Sequence, residues 1–174
     1  MKTTKKRLLL LLIALLLLAG CSHHYIPRTT TFDFEEIDEF LSNSTVSLIN
    51  DQPFSDDVLF LSRGTHDYYA DFKAWTEKAI AITQREITSR GMKVVEDAPK
   101  FMKLSVMTAE GTTGMWQVYC ETSLRVETGD GYVNEYVAKA GSPASLQRAV
   151  DGAVMRVVAA MLRDRNIIRY LQAK

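Results

Sequence analysis

The chain of 174 residues has two cysteines, Cys21 and Cys120, three histidines, and no excess charge of either sign, 21 basic residues balancing 21 acidic ones. Each shortage removes a class of protein. Two cysteines cannot build the disulfide framework of a small secreted scaffold. Two of the histidines are adjacent, at His23 and His24, with no third ligand at fixed spacing, so no metal site is expected. Without clustered Lys and Arg there is no electrostatic footprint for nucleic acid, since displacing phosphate counterions takes concentrated positive charge. Nucleic acid is excluded as a partner. A phosphate-cradling glycine loop, a nucleophile elbow and an HExxH helix are also missing; Gly111 to Gly114 is too short and follows a strand pattern without opening a helix. Nothing in the chain calls for a cofactor.

What is present is concentrated at one end. Lys2, Lys5, Lys6 and Arg7 precede an uninterrupted apolar block, Leu8 to Leu18, the charged-then-apolar order of a secretory signal. Eleven residues are too few to cross a bilayer as a helix, which takes about 20. Leu18-Ala19-Gly20-Cys21 closes the block with two small residues and a cysteine. This stretch resembles the lipobox of bacterial lipoproteins, and the resemblance implies cleavage before Cys21, a diacylglycerol on its sulfur and a further acyl chain such as palmitate on its amino group. One acyl chain holds a protein marginally and two or more hold it firmly, so the membrane itself is an expected partner. Ser22 stands where an aspartate would retain such a protein in the inner membrane, which points to the outer membrane, facing the periplasm.

Residues 1–20 are thus read as a cleaved signal, 21–44 as a lipidated N-terminus and tether, and 45–174 as a single α/β domain. The 154 residues from Cys21 onward carry 17 basic and 21 acidic side chains, a net −4, and suffice for one domain. Within the tether a short helix is expected over 35–41. Thr45 to Asn50 reads as a strand, and Val58 to Leu61 as a short strand or buried loop. A long helix is predicted from about Asp67 to Arg90, with Thr65 or Asp67 as N-cap and Gly91 as its stop. Strands follow over 93–96 and 102–108, then a turn over 109–114. The next strand alternates strictly, Trp116, Val118, Cys120, Thr122, Leu124 and Val126 facing inward. Gly129-Asp130-Gly131 turns the chain back as a strand over 132–139. Ser142-Pro143 opens the last helix, whose stripe is Leu146, Val150, Ala153, Val154, Val157, Met161 and Leu162. The expected architecture is a two-layer α/β (α+β) sandwich, a mainly antiparallel sheet with two long helices packed on one face.

The candidate chemistry is sparse. Cys120 occupies an inward strand position, where a cysteine serves as a small hydrophobe more often than as a nucleophile. His66 beside Asp67 offers an acid-base pair only if the two face each other, which neighbours on a helix do not. Glu127, Asp130 and Glu135 lack the alternating oxygen ligands of a calcium loop. No enzyme is expected. What remains is surface: Tyr119, Glu121 and Arg125 on the outward face of the alternating strand, joined across the ladder by Tyr132 and Tyr136, form the candidate binding face.

The lipobox, the segment Ile87-Thr88-Ser89-Arg90-Gly91-Met92-Lys93-Val94-Val95 and the turn Glu127-Thr128-Gly129-Asp130-Gly131 together resemble the small envelope lipoproteins of the YajG type. The resemblance implies a non-enzymatic accessory factor in cell-envelope assembly or maintenance, binding a periplasmic protein or glycan, and it supplies no catalytic residues. A carrier or sensor of lipid or another small apolar ligand is the alternative.

Overall fold

The computed structural model describes residues 21–28, 42–53 and 55–173. The signal and the short helix expected over 35–41 lie outside them. The described residues form eight strands and three helices: β1 (Cys21–Tyr25), β2 (Thr45–Asn50), β3 (Asp57–Arg63), β4 (His66–Asp71), α1 (Phe72–Ser89), β5 (Lys93–Val94), β6 (Phe101–Thr113), β7 (Val118–Thr128), β8 (Val133–Ser142), α2 (Leu146–Leu162) and α3 (Arg165–Gln172). A five-stranded sheet runs β5-β2-β6-β7-β8, and a three-stranded sheet runs β1-β4-β3. The fold is the α+β sandwich expected. Its long ladders, β6 with β7 and β7 with β8, are antiparallel, whereas β2 pairs in parallel with both β5 and β6. No described helix is long and apolar enough to cross a membrane.

The alternation read in the sequence decides the layers. Met102, Leu104 and Val106 of β6 and Cys120, Leu124 and Val126 of β7 are buried beneath the helices. They meet Trp75, Ala79 and Ile82 of α1 and the complete predicted stripe of α2, all buried in the same core. α2 lies close on β8, where a Cβ on Gly152 would come 2.9 Å from that of Ala140. Gly91 ends α1 as predicted, at φ 89°, with its N–H bonded to Thr88 O and that of Met92 to Ile87 O.

Several boundaries move, each for a local reason. Residues 66–71 are strand rather than first helical turns, because Gly64 (φ 62°) and Thr65 close a hairpin and the β-favouring Tyr68 and Tyr69 pair with both β1 and β3. Asp71 therefore caps α1, accepting from the N–H groups of Lys73 and Ala74 at 2.9 and 3.1 Å. The turn expected over 109–114 is mostly strand. β6 runs on to Thr113, with Gly111 accommodated because Leu61 of β3 fills the space its side chain would take, a Cβ there falling 2.7 Å from Leu61 Cβ. Ser142 stays in β8, its Oγ accepting from the N–H groups of Ala144 and Ser145, and Ser145 caps α2 instead.

The largest departure concerns the tether. Cys21 to Tyr25 form a strand parallel to β4. The next residues are fastened too: Trp75 Nε1 donates to Tyr25 O at 2.6 Å, Gln147 Nε2 to Ile26 O at 3.0 Å, and Arg28 N to Asp151 Oδ1 at 2.7 Å. Threonine-rich and polar sequence suggested a spacer, but His23 stacks on Tyr68, Tyr25 meets Tyr68 edge-on, and Phe60 meets both Tyr25 and Trp75 edge-on. Aromatic contacts hold the segment where composition alone promised none.

Candidate functional site

The face of the five-stranded sheet opposite the helices carries the candidate surface. Three-strand rows cross it: Thr112, Tyr119 and Gly141; Glu110, Glu121 and Lys139; Thr108, Ser123 and Val137; Ser105, Arg125 and Glu135. Lys139 Nζ lies 3.7 Å from Glu121 Oε2 and 5.4 Å from the Tyr119 ring centroid. Glu127 takes Lys103 at 3.4 Å and Arg125 at 3.8 Å. Such exposed pairs stabilise by only about 0–1 kcal/mol each, so they define charge pattern more than stability. Between them stand apolar side chains, Val137 at 60% exposure, Val133 at 46%, and Met107 at 45%, the last exposed where β6 bulges between Val106 and Thr108.

Tyr119, Glu121 and Arg125 share this face as the alternation requires. Tyr132 and Tyr136 do not, which corrects the expected five-residue cluster. Tyr136 pairs with Leu124, an inward residue, and is 9% exposed. Its hydroxyl donates to Asp164 Oδ2 at 2.7 Å, beside that of Tyr132 at 2.6 Å. Asp164 also receives Asn134 Nδ2 at 3.3 Å and, as N-cap of α3, Asn166 N at 2.8 Å. Burial alone raises its pKa, but these donors overcome that and hold the carboxyl below its ordinary value. Burial first, then the bond to Asp164, pushes the Tyr136 hydroxyl up. The group is a lock between β8 and α3. A tyrosine in an alternating strand faces the side its register dictates, and the sequence misplaced Tyr136 by counting aromatic type instead of parity from Leu124.

The histidines are not idle in a spacer. His23 Nε2 is 3.0 Å from His66 Nδ1 with the rings stacked, and His24 Nδ1 is 3.1 Å from Asp57 Oδ1. His66 and Asp67 alternate along β4; Asp67 instead accepts from Ser62 Oγ at 2.6 Å, so the two form no acid-base pair. Among the described residues, no three His, Cys, Asp or Glu side chains are placed to hold a metal. Asp130 accepts from Thr128 Oγ1 and from Tyr132 N within its own turn. Cys120 is fully buried, and burial, with the Glu121 charge adding to it, pushes its thiol up to about 12. Such a thiol is no nucleophile near neutral pH.

A cleft of about 300 Å³ opens where the small sheet meets the end of the large one, lined by Tyr25, Leu61, Arg63, Tyr68, Thr113 and Val118, with Pro143 to Leu146 closing one side. No local pattern of residues signals it, because it depends on β3 and β4 lying over the β6–β7 hairpin. The same region holds the most exposed aromatic of the described residues. Trp116, expected to face inward, is 83% exposed beside Met115 at 87%, because β7 begins at Val118 and the two sit in the turn closed by Gly114 N to Gln117 O.

No family model matches the chain, and no curated protein matches it. Among solved structures it is similar to a protein of the DUF330 family from Xanthomonas campestris, at 9% identity over 88% of this chain and 95% of that one, TM-score 0.46. A hypothetical protein from Chlamydia trachomatis aligns at 8% identity over 76% and 100%, TM-score 0.49. PelC from Paraburkholderia phytofirmans, described as a dodecamer, aligns at 12% identity over 80% and 96%, TM-score 0.39.

Proposed function

We propose that this chain is a non-enzymatic lipoprotein of the bacterial cell envelope, held in the outer membrane by acyl chains on Cys21 and binding a periplasmic protein or glycan through the outer face of its five-stranded sheet. Its role is that of an accessory factor in envelope assembly or maintenance, as in lipoproteins of the YajG type. The observation that carries the binding part is the outer face that the other described elements leave open, where Tyr119, Glu121, Arg125 and Lys139 surround exposed Met107 and Val137. A mosaic of aromatic, apolar and paired charged side chains suits a polar partner surface, since interfaces combine apolar anchors with a polar rim. The anchoring part rests on the lipobox, and Cys21 is exposed in keeping with it.

Photo-crosslinking in intact cells from positions 119 and 137 tests the binding part. One recurrent adduct at both positions is expected; adducts indistinguishable from those of a site such as Glu77 on the opposite layer would end the proposal. The cleft beside Tyr25 and Arg63 favours a second reading, a receptor for a small ligand, since about 300 Å³ is the lower end of the size range of small-molecule sites. Native mass spectrometry of protein purified from its host, finding no small molecule retained, would remove it.

A further inference from the structure

The chain of contacts around the cleft places Cys21 and the β6–β7 tip at one end of the molecule. Cys21 pairs with His66, and His66 with Arg63. Two strand spacings separate the outer members, roughly 10 Å. Arg63 lines the cleft together with Thr113 and Val118, the two residues that flank the tip. The Gly64 to Thr65 turn and the connection from β8 to α2 reach the same end, whereas α3 and the Gly129 to Gly131 turn lie at the other, where Tyr170 Oη accepts from Gly129 N.

Three features of the tip bear on what it meets. Met115 and Trp116 are the most exposed large apolar side chains described. From Gly111 to Cys120 there is no charged residue, and the uncharged stretch is bounded by Glu110 and Glu121, which face each other across the ladder. The tip is also stiff: the Tyr119 ring lies against Gly141 and Gly114, and Gln117 Nε2 donates to Tyr119 Oη. A stiff, uncharged hairpin ending in tryptophan has the chemistry of a membrane interface, where an amphipathic ring sits at headgroup level.

The place of Cys21 in a strand turns this likeness into a geometric requirement. Cys21 N donates to Thr65 O at 2.9 Å, so the cysteine of the lipobox is itself already part of a sheet. Amide-linked acylation of that nitrogen keeps its one N–H and therefore keeps the bond. A diacylglycerol on the sulfur would hang from a fixed strand with no slack, and the neighbouring loops would be drawn to the headgroups. We propose that Met115 and Trp116 seat in the headgroup layer of the same leaflet that receives the Cys21 chains, so that the domain stands on two points rather than swinging from one. This rests on the lipid anchoring proposed above. Each headgroup layer is only about 5–8 Å thick, enough for the last turn and not for the Glu110–Glu121 pair. The outer sheet face then looks sideways across the periplasm, and α3 points away from the membrane.

The test uses the full-length protein, purified with its native modification and reconstituted into vesicles. Trp75 is sealed in the core, so the difference between wild type and Trp116→Phe isolates the emission of Trp116. A blue shift, protection from acrylamide, and loss of emission in vesicles whose lipids are brominated near the glycerol end are expected. Intact mass and flotation report anchoring separately. A lipidated protein that floats while Trp116 ignores the brominated lipid sinks this inference and leaves the anchor standing, even if the ring is shielded from acrylamide by another protein surface. A bare Cys21 sinks both.

Discussion

Cys120 is a core atom set in a reactive type of residue. Complete burial and a thiol pushed up to about 12 mean that it reacts only when the fold opens. Labelling with a maleimide in native buffer is expected to proceed at the opening rate and to accelerate with denaturant along the unfolding transition. The same reagent serves the anchoring proposal, since denatured protein with a thioether on Cys21 titrates one thiol per chain and an unmodified chain titrates two. Asp164 makes a second prediction at this scale. Its carboxylate caps α3 and accepts both Tyr132 and Tyr136. A lost cap costs about 1 kcal/mol and bonds to a charged acceptor about 1.5–3; with the group partly buried, Asp164→Ala should cost about 2 kcal/mol in urea unfolding. Because the folded pKa lies below the ordinary 3.8, the contribution is complete above that value and is lost as pH falls through the folded one. Asp164→Asn keeps a capping oxygen and should flatten that acid dependence, visible in unfolding midpoints measured between pH 2 and 6.

At the scale of elements, the contact between Gly111 and Leu61 joins the two sheets. Gly111→Ala places a methyl 2.7 Å from Leu61 Cβ, where neither strand can yield freely. Overpacking of this kind costs typically about 1–3 kcal/mol. Since the closest atom is the Cβ of one side chain, Leu61→Gly in the same molecule, which removes that atom, should recover part of the loss, and a double-mutant cycle in urea measures the coupling. Additive effects would mean that the sheets do not press together there. Boundaries teach a related lesson. The interior of α1 was legible from Trp75, Ala79, Ile82 and Ile87, because a helix buries one stripe at its own period. Its start was not, because Asp67 to Asp71 can either begin a helix or pair as a strand, and the choice fell to the hairpin with β3 and to β1, which is remote in sequence. Trp116 was misread for the same reason: alternation continues on paper past the point where the chain turns.

For the whole molecule, the two faces of the large sheet make opposite predictions. Substitutions on the outer face away from special backbone positions usually change stability by less than about 0.5 kcal/mol. Arg125→Glu and Val137→Asp should therefore leave thermal unfolding where it is while abolishing the crosslinked adduct proposed above. A large fall in melting temperature would mean that the face is structural and not a docking surface. The two-point stance adds that a partner approaches from the side, within one domain height of the membrane.

The sequence by itself determined the sandwich, the helix interiors, the inward set Cys120, Leu124 and Val126, and the two glycine-marked stops at Gly91 and Gly131, because each follows from period or from backbone sterics within a few residues. It also carries the whole case for an anchor, which is a local signal of charge, length and small residues. Only the tertiary structure decided that Cys21 begins a strand, that Tyr136 turns inward to Asp164, and that Cys21 and Trp116 share an end. Those outcomes depend on pairings across 28 to 50 residues, where burial and register, both properties of the assembled sheets, outweigh the local preference of any residue.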